Sequence, residues 1–234
     1  MKIDVLTLFP EMFDALKSSI IGRALNNNLI EINCINIRDF SSNKHKKCDD
    51  YPFGGGAGMV MMPQPIYDAL LSIDPEHTAH RIYLSPKGNI LNNNVAKCLS
   101  LKKHIVLLCG HYEGVDQRII DNYIDEEISI GDYILTGGEL PSMVLIDVIS
   151  RFIPKVLGSN ESAYADSFED GLLEFPQYTR PEIFNGNKVP EILLTGNHKL
   201  INDWRYLKKL ELTKKYRPDL YTKLPQIEKD KIGE

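Results

Sequence analysis

Three short segments carry residue types from which a small-molecule site can be built. Each follows or contains the end of an apolar, strand-like run, and each includes one tyrosine beside small or apolar residues. Their residues are Tyr83, Leu84, Ser85 and Pro86; Gly110, Tyr112, Glu113 and Gly114; and Ser129, Ile130, Gly131, Asp132, Tyr133, Ile134 and Leu135, followed by Gly137, Gly138 and Pro141. Ligands of open α/β sheets bind beyond the carboxyl ends of the strands, where glycine lets the backbone approach them. The segments therefore predict one shared pocket.

The side chains of these segments favour an adenine-type ligand over a polyphosphate. None of the segments contains Lys or Arg, which phosphate groups attract. The GxGxxG and GxxxxGK motifs are also missing, so neither a Rossmann nor a P-loop site is indicated. Two purely structural alternatives remain open. In one, Glu113 is an acid that interacts with a helix dipole; in the other, Tyr112 and Tyr133 are core aromatics.

A glycine-rich loop, YPFGGGAGMVMM at 51–62, is the other unusual segment. So many glycines cost backbone entropy, which a protein tolerates where the main chain must turn tightly or approach something closely. The loop is therefore either a tight connection between elements or a surface packed against a nucleotide or a nucleobase.

Cysteine and histidine spacing does not indicate a metal centre. Four cysteines form no CxxC pair, and the six histidines do not cluster near them. Cys34 and Cys109 lie in apolar runs, where a reduced cysteine behaves as a small hydrophobe. The N-terminus does not resemble a signal peptide and no apolar run is long enough to span a membrane, so we expect a cytoplasmic protein.

Strand-like and helical patterns alternate along the first two thirds of the chain. The predicted strands are 3–9, 30–34, 81–84, 105–109 and 133–135, and the predicted helices are 12–28, 66–71, 91–101, 139–153 and 204–216. This alternation predicts an α/β fold with a mainly parallel sheet and helices on both faces. A polar connector begins near Gly158, where we expect a domain boundary.

Charge is distributed unevenly although the net charge is only −5. Eight cations and three acids lie between Lys199 and Lys223, whereas one cation and five acids lie between Lys155 and Pro176. The basic segment is either a solvated helix face or a surface for RNA phosphates. The acidic segment before it is either a solvated linker or is directed at a base edge.

Five long motifs, in this order along the chain, resemble the bacterial-type tRNA (guanine-N1)-methyltransferases. They are YPFGGGAGMVM (51–61), GHYEGVDQR (110–118), SIGDYILTGGELP (129–141), DSFEDGLLEFPQYTRP (166–181) and VPEILLTGNHKLINDWR (189–205). The resemblance covers essentially the whole chain.

This resemblance implies the SPOUT class of methyltransferases, in which a C-terminal trefoil knot follows a mainly parallel sheet. It implies a methyltransferase domain at 1–158, a flexible connector at 159–172 and a small, mostly helical domain at 173–234 that binds tRNA. The three pocket segments would hold S-adenosyl-L-methionine, and two copies would form a homodimer whose active site is completed across the interface. Without the resemblance, the alternating pattern would predict an ordinary doubly wound sheet.

The resemblance also implies a substrate and residue roles. The target is N1 of the guanosine 3′-adjacent to the anticodon, at position 37, with Asp166 as general base and Arg151 stabilising the guanine. The matching tRNA-binding positions are Gly55, Gly56, Lys199, Arg205, Lys208, Lys209 and Lys214. We expect the connector to order when both ligands bind, expect no resident metal, and leave a role for Mg²⁺ open.

Several alternatives remain at this point. Arg151 falls at the end of a predicted helix, where a cation interacts favourably with the dipole. The chain could also be another SPOUT methyltransferase that acts on ribose or on ribosomal RNA, or a noncatalytic RNA-binding protein of the same fold.

Overall fold

The computed structural model describes residues 1–158 and 166–232 of the chain. The chain divides into two compact units, Met1–Gly158 and Ser159–Glu234. Within the described ranges, no helix combines the length and apolarity needed to cross a membrane.

A five-stranded parallel sheet forms the centre of the first unit. The strands of this unit are β1 (Lys2–Thr7), β2 (Glu31–Asn36), β3 (Asp49–Asp50), β4 (Val60–Met61), β5 (His80–Ile90), β6 (His104–Leu108) and β7 (Glu126–Ser129). The sheet has the order β2-β1-β6-β5-β7, and β3 and β4 form a separate antiparallel pair. Strands β1 and β6 lie inside the sheet and are almost wholly buried, as expected of parallel strands covered on both faces.

Helices cover both faces of this sheet. They are α1 (Ser19–Asn26), α2 (Pro63–Ile73), α3 (Asn93–Ser100), α4 (Gln117–Tyr123) and α5 (Glu139–Ser150), with 3₁₀ helices at Pro10–Lys17 and Ile37–Phe40. Val5 and Leu107 pack with residues of α3 and α5, whereas the adjacent Leu6 and Leu108 pack with residues of α2 and α4. Because successive strand residues point to opposite faces, these are two cores on opposite sides of the sheet. The predicted α/β fold with a mainly parallel sheet is confirmed.

The predicted helix at 12–28 is wrong in one respect, because it is interrupted. The 3₁₀ helix ends at Lys17, Ser18 is extended, and Ser19 has a positive φ of 57° at the start of α1. A Cβ atom on Gly22 would lie 2.2 Å from the carbonyl oxygen of Lys17, so glycine is needed where the two pieces meet. The apolar spacing continues through this break and therefore does not reveal it.

The strand predicted at 133–135 is also wrong. The strand in this region is β7, and Tyr133, Ile134 and Leu135 lie outside any strand with exposed fractions of 55%, 79% and 38%. Strand β7 occupies an edge of the sheet and begins with two half-buried acids, Glu126 and Glu127. Its sequence therefore lacks the apolar run that marked the other strands.

A buried ion pair fixes the start of β5. Asp74 caps the C-terminus of α2, and its carboxylate lies 2.8 Å from Nη2 of Arg81; both residues are 3% exposed. The backbone N–H groups of Thr78 and Ala79 also donate to this carboxylate. Burial alone would raise the pKa of Asp74, but these hydrogen bonds, together with those from Arg81 and the Thr78 hydroxyl, outweigh burial and lower it.

The second unit is mostly helical where it is described. Its elements are β8 (Ile183–Phe184), β9 (Asn187–Lys188), α6 (His198–Tyr216), α7 (Pro218–Tyr221) and α8 (Gln226–Lys229), with 3₁₀ helices at Glu191–Leu194 and Asp230–Ile232. Helix α6 starts earlier than the predicted 204–216, because the Asn197 side chain accepts a hydrogen bond from the Leu200 backbone and caps it. Leu172, Ile201, Leu210 and Tyr221 are buried. Positions 159–165 of the predicted connector lie outside the described residues.

Candidate active site

A cavity of about 290 Å³ lies at the carboxyl ends of β6 and β7 and beside the middle of β5. Of the residues predicted to bind the methyl donor, all except Asp132 line it. Three further residues also line it: His111, Ile128 and Thr136. His111 and Thr136 lie inside two of the sequence motifs, GHYEGVDQR and SIGDYILTGGELP, between residues that are predicted to bind the donor. A prediction that took every residue of these stretches would have included both.

Two glycine-containing loops cross at this cavity. The Gly138 backbone N–H donates to the Gly110 carbonyl at 2.8 Å, and His111 and Gly137 form an antiparallel bridge. The segment after β7 therefore runs from the sheet edge past β5 to the end of β6. Glu139, the first residue of α5, then accepts a hydrogen bond from the Thr7 hydroxyl at the end of β1.

Glycine is required where the loops cross. A Cβ atom on Gly138 would lie 2.7 Å from Cα of Cys109, which is closer than backbone atoms can adapt to. A Cβ atom on Gly110 would lie 2.7 Å from the hydroxyl oxygen of Tyr83. Both glycines line the cavity, where the main chain provides hydrogen-bond donors and acceptors.

A bulge in β5 forms another wall of the cavity. The register of β5 against β7 pairs both Leu84 and Asn89 with Ile128, so residues 85–88 bulge out of the ladder. Ser85 and Pro86 lie in this bulge and line the cavity. A Cβ atom on Gly88 would lie 2.4 Å from the backbone of Glu127, so the bulge is pressed against β7.

Tyrosine and histidine side chains add polar groups to the lining. Burial, and to a smaller extent the Glu127 carboxylate, raises the pKa of Tyr83, so its hydroxyl remains a neutral donor. Nδ1 of His111 lies 3.0 Å from the Tyr112 backbone nitrogen and accepts its N–H, and its ring packs at 5.1 Å against Phe9. The proton of neutral His111 is thereby assigned to Nε2.

Buried polar groups adjoin the cavity-lining residues along the chain. Glu139 is 2% exposed and accepts from the Thr7 hydroxyl at 2.8 Å, while Sγ of Cys109 lies 3.2 Å from the Ser142 hydroxyl. Burial raises the pKa of the Cys109 thiol, which keeps it protonated. Cys109 therefore acts as a small packed residue beneath the site.

The glycine-rich loop packs against one side of the cavity. Glu113 donates its backbone N–H to the Met59 carbonyl at 3.0 Å, and Met61 donates to the Gly114 carbonyl at 2.9 Å. A Cβ atom on Gly58 would lie 2.4 Å from the Glu113 carboxylate. Around Gly55, by contrast, a Cβ atom would meet nothing within 4 Å, and at Gly56 its nearest neighbour would be Pro52 at 3.9 Å. The base of the loop is packed and its tip is open.

The two predicted catalytic residues lie in different units. Arg151 is the half-buried C-terminal cap of α5, and its backbone N–H donates to the Asp147 carbonyl. Asp166 is the half-buried residue that precedes a compact turn, in which Phe168 donates its N–H to the Leu172 carbonyl at 2.7 Å. Arg151 is thus a cation at the end of a helix, and Asp166 is a carboxylate at the start of a turn.

The predicted RNA-binding cations of α6 differ in their surroundings. Lys209 pairs with Asp170 and is only 13% exposed, and Lys208 pairs with Glu211 at 2.5 Å. Arg205 lies 4.8 Å over the Phe175 ring, Lys214 lies 5.7 Å over Tyr221, and both are exposed, as is Lys199. Lys199 and Arg205 are therefore better placed than Lys208 and Lys209 to meet phosphate.

Within the described ranges, no group of three or more His, Cys, Asp or Glu side chains has an arrangement that could hold a metal ion.

Comparison with known proteins shows the family of this chain. Residues 1–223 match the family model described as tRNA (Guanine-1)-methyltransferase TrmD. A tRNA (guanine-N(1)-)-methyltransferase of Ruminiclostridium cellulolyticum is 59% identical over 228 residues, covering 96% of this chain and 98% of that protein. Proteins of the same name from Clostridioides difficile and Clostridium beijerinckii are 57% and 55% identical, covering 95% and 98% of this chain and 98% and 96% of their own lengths. The chain therefore belongs to the tRNA (guanine-1)-methyltransferase family.

Proposed function

We propose that this chain transfers the methyl group of S-adenosyl-L-methionine to N1 of guanosine 37, the nucleotide 3′-adjacent to the anticodon of tRNA. The observation that carries the proposal is the cavity at the crossing of two glycine loops in a chain of this family. Because tRNA is the substrate, we also propose the cytoplasm as the compartment.

The cavity suits S-adenosyl-L-methionine. When bound, this donor would supply a methyl group already activated on a positively charged sulfur. The described lining contains no Lys or Arg, and Glu113 contributes a carboxylate, so the electrostatics favour a cationic, adenosine-containing molecule over a polyphosphate. Main-chain groups of the lining segments would hold the polar edge of the adenine, and Leu84, Ile130 and Leu135 would cover its faces.

Two side chains would act on the guanine. N1 of guanine carries a proton and is a poor nucleophile, so methyl transfer requires a base near N1 and a donor for the negative charge that grows on O6. Asp166 would accept the N1 proton, and the Arg151 guanidinium would donate to O6. Asp166 is only half-buried, at the start of a turn, which supports a role at the surface where RNA binds.

We further propose that the loops close a trefoil knot. The support is the path of the chain after β7, which returns past β5 to Gly110 and then to Thr7 at the end of β1. An ordinary doubly wound sheet has no need for a loop to return across two strands in this way.

A second copy of the chain would complete the site. Leu140 and Val144 lie one turn apart on α5 and are 47% and 43% exposed, and Ile134 beside the cavity is 79% exposed. This apolar surface supports a homodimer. A mixture of Arg151→Ala and Asp166→Ala chains that regains activity would show that two copies share one site.

The second unit would bind the tRNA through its exposed cations. Lys199 and Arg205 are the first candidates, since Lys208 and Lys209 already pair with carboxylates. Phosphate contacts make RNA affinity fall with salt, so Lys199→Gln should flatten that dependence whereas Lys209→Gln should change it less.

The proposal is tested by mapping the product. The chain is incubated with labelled S-adenosyl-L-methionine and with tRNA transcripts that carry guanosine or adenosine at position 37, and the modified nucleoside is then identified. We expect 1-methylguanosine at position 37 of the first transcript and no label in the second. A methyl group on ribose, or in ribosomal RNA, would identify another RNA methyltransferase of this fold and contradict the proposal.

A further inference from the structure

The tip of the glycine-rich loop presents two aromatic side chains to solvent beside the cavity. Phe53 is fully exposed, at 101% of its reference area, and Tyr51 is 78% exposed. Burying a phenylalanine side chain stabilises a protein by about 1.5–3 kcal/mol, and none of that stabilisation is realised here. A ring in this position contributes nothing to folding of the described chain.

The loop backbone holds these side chains outward. Gly54, Gly55 and Gly56 have φ values of 86°, 80° and 127°, which side-chain-bearing residues rarely adopt. The Gly55 N–H donates to the Pro52 carbonyl at 3.3 Å, which closes a turn around Phe53. Cβ atoms on Gly54 and Gly55 would meet nothing within 4 Å, so packing does not require glycine at these positions. The positive φ values of the backbone favour glycine there instead.

The base of the same loop is attached to the cavity. Gly58 packs on Glu113, and the hydrogen bonds of Met59 and Met61 to the segment 113–116 hold the loop beside that cavity wall. A basic stretch, Asn43–Lys47, precedes the β3–β4 pair; there Lys46 and Lys47 pair with Asp39 and Asp50, and Lys44 makes no ion pair with any described residue. The base of the loop is thus attached to the wall of the cavity, and its tip carries the two aromatic rings.

The reaction requires such a surface, because N1 of a guanine is covered while the base is stacked in an RNA loop. Enzymes that act on a base extrude it, and the neighbouring bases then lose a stacking partner. We propose that Phe53, assisted by Tyr51, stacks on an unpaired base next to the target guanosine and so stabilises the extruded state. The inference rests on the proposed function and adds a positioning role for Phe53.

The test compares methyl transfer by Phe53→Ala, Phe53→Tyr and the unaltered chain. Stacking of a base on an aromatic ring contributes about 1–3 kcal/mol, so Phe53→Ala should lower kcat/KM for tRNA about 5- to 150-fold. Phe53→Tyr should retain most activity, and the affinity for S-adenosyl-L-methionine should be unchanged in both. Leu101→Ala, which removes an 84% exposed apolar side chain near the start of β6, is the matched control and should behave as the unaltered chain.

A second readout separates stacking from a merely structural role. Two further transcripts carry an abasic nucleotide, one 5′ and one 3′ of the target. Each has less base stacking to break when the target is extruded, so the defect of Phe53→Ala should shrink with one of them. The inference is overturned if Phe53→Ala keeps its kcat/KM within about twofold, if its defect persists with both abasic transcripts, or if it alters only the oligomeric state. If the unaltered chain itself fails to methylate guanosine 37, the proposed function fails as well.

Discussion

Gly138 illustrates how single residues shape the site. Because Gly138 has no Cβ, its backbone can approach that of Cys109 closely. A Cβ atom built at this position would lie only 2.7 Å from Cα of Cys109. Alanine at this position would separate the crossing loops and remove the main-chain wall of the cavity. The proposed donor site thus depends on a close approach of two loops that a side chain would prevent, whereas the proposed chemistry on guanine depends on two side chains, Arg151 and Asp166.

Arg151 has an observed place at a helix end and a proposed role in catalysis, which substitutions can separate. As the C-terminal cap of α5, a cation stabilises the helix by about 0.3–1 kcal/mol, and Lys at this position would do so equally well. As the donor to guanine O6, the guanidinium has a planar geometry that Lys does not reproduce. We therefore expect both Arg151→Lys and Arg151→Ala to lose turnover while keeping affinity for the methyl donor.

The readouts for Arg151 are kcat, donor affinity and the free energy of unfolding. Full activity of Arg151→Lys, with destabilisation confined to Arg151→Ala, would assign the residue to the helix end alone.

At the scale of elements, the α2–β5 connection should respond to pH. The pKa of Asp74 is lowered in the folded chain, so its contribution to stability is present above the unfolded pKa of about 3.9 and is lost as pH falls through the folded value. Asp74→Asn leaves Arg81 buried without its counter-ion and should lower the free energy of unfolding by about 3 kcal/mol at pH 7. Urea denaturation should show this difference shrinking below about pH 4.

The matched control for Asp74 is Asp39→Asn, which removes an exposed pair with Lys46 and should cost less than about 1 kcal/mol. Equal losses in the two variants, or a difference that does not change below pH 4, would contradict the role assigned to the buried pair.

Element prediction from the sequence succeeded where a strand is apolar. Runs such as Ile3 to Leu6 and Ile105 to Leu108 are buried inside the sheet and marked β1 and β6. Strand β7 was missed because it lies at an edge and starts with Glu126 and Glu127, and its place was given to the apolar residues 133–135 that line the cavity. In β1 and β6 an apolar run marks a strand buried in the sheet. In residues 133–135 it marks exposed side chains that line the cavity.

At the scale of the whole molecule, local patterns could not predict how the loops cross. The bond from Gly138 to Gly110 and the bond from Thr7 to Glu139 join positions 28 and 132 residues apart, and no period in the sequence encodes them. Glycine spacing predicted that the three segments meet, and they do line one cavity. The knot, the dimer and the roles of Arg151 and Asp166 came from resemblance to the family.

Asp166 provides the most direct test of the account. Single-turnover methyl transfer to tRNA carrying guanosine 37 is measured for Asp166→Asn beside Asp170→Asn, whose carboxylate pairs with Lys209 and has no proposed catalytic role. We predict that Asp166→Asn loses at least about 100-fold in rate while its affinity for S-adenosyl-L-methionine is retained, and that Asp170→Asn keeps most of its rate. Substantial methyl transfer to N1 by Asp166→Asn would contradict it.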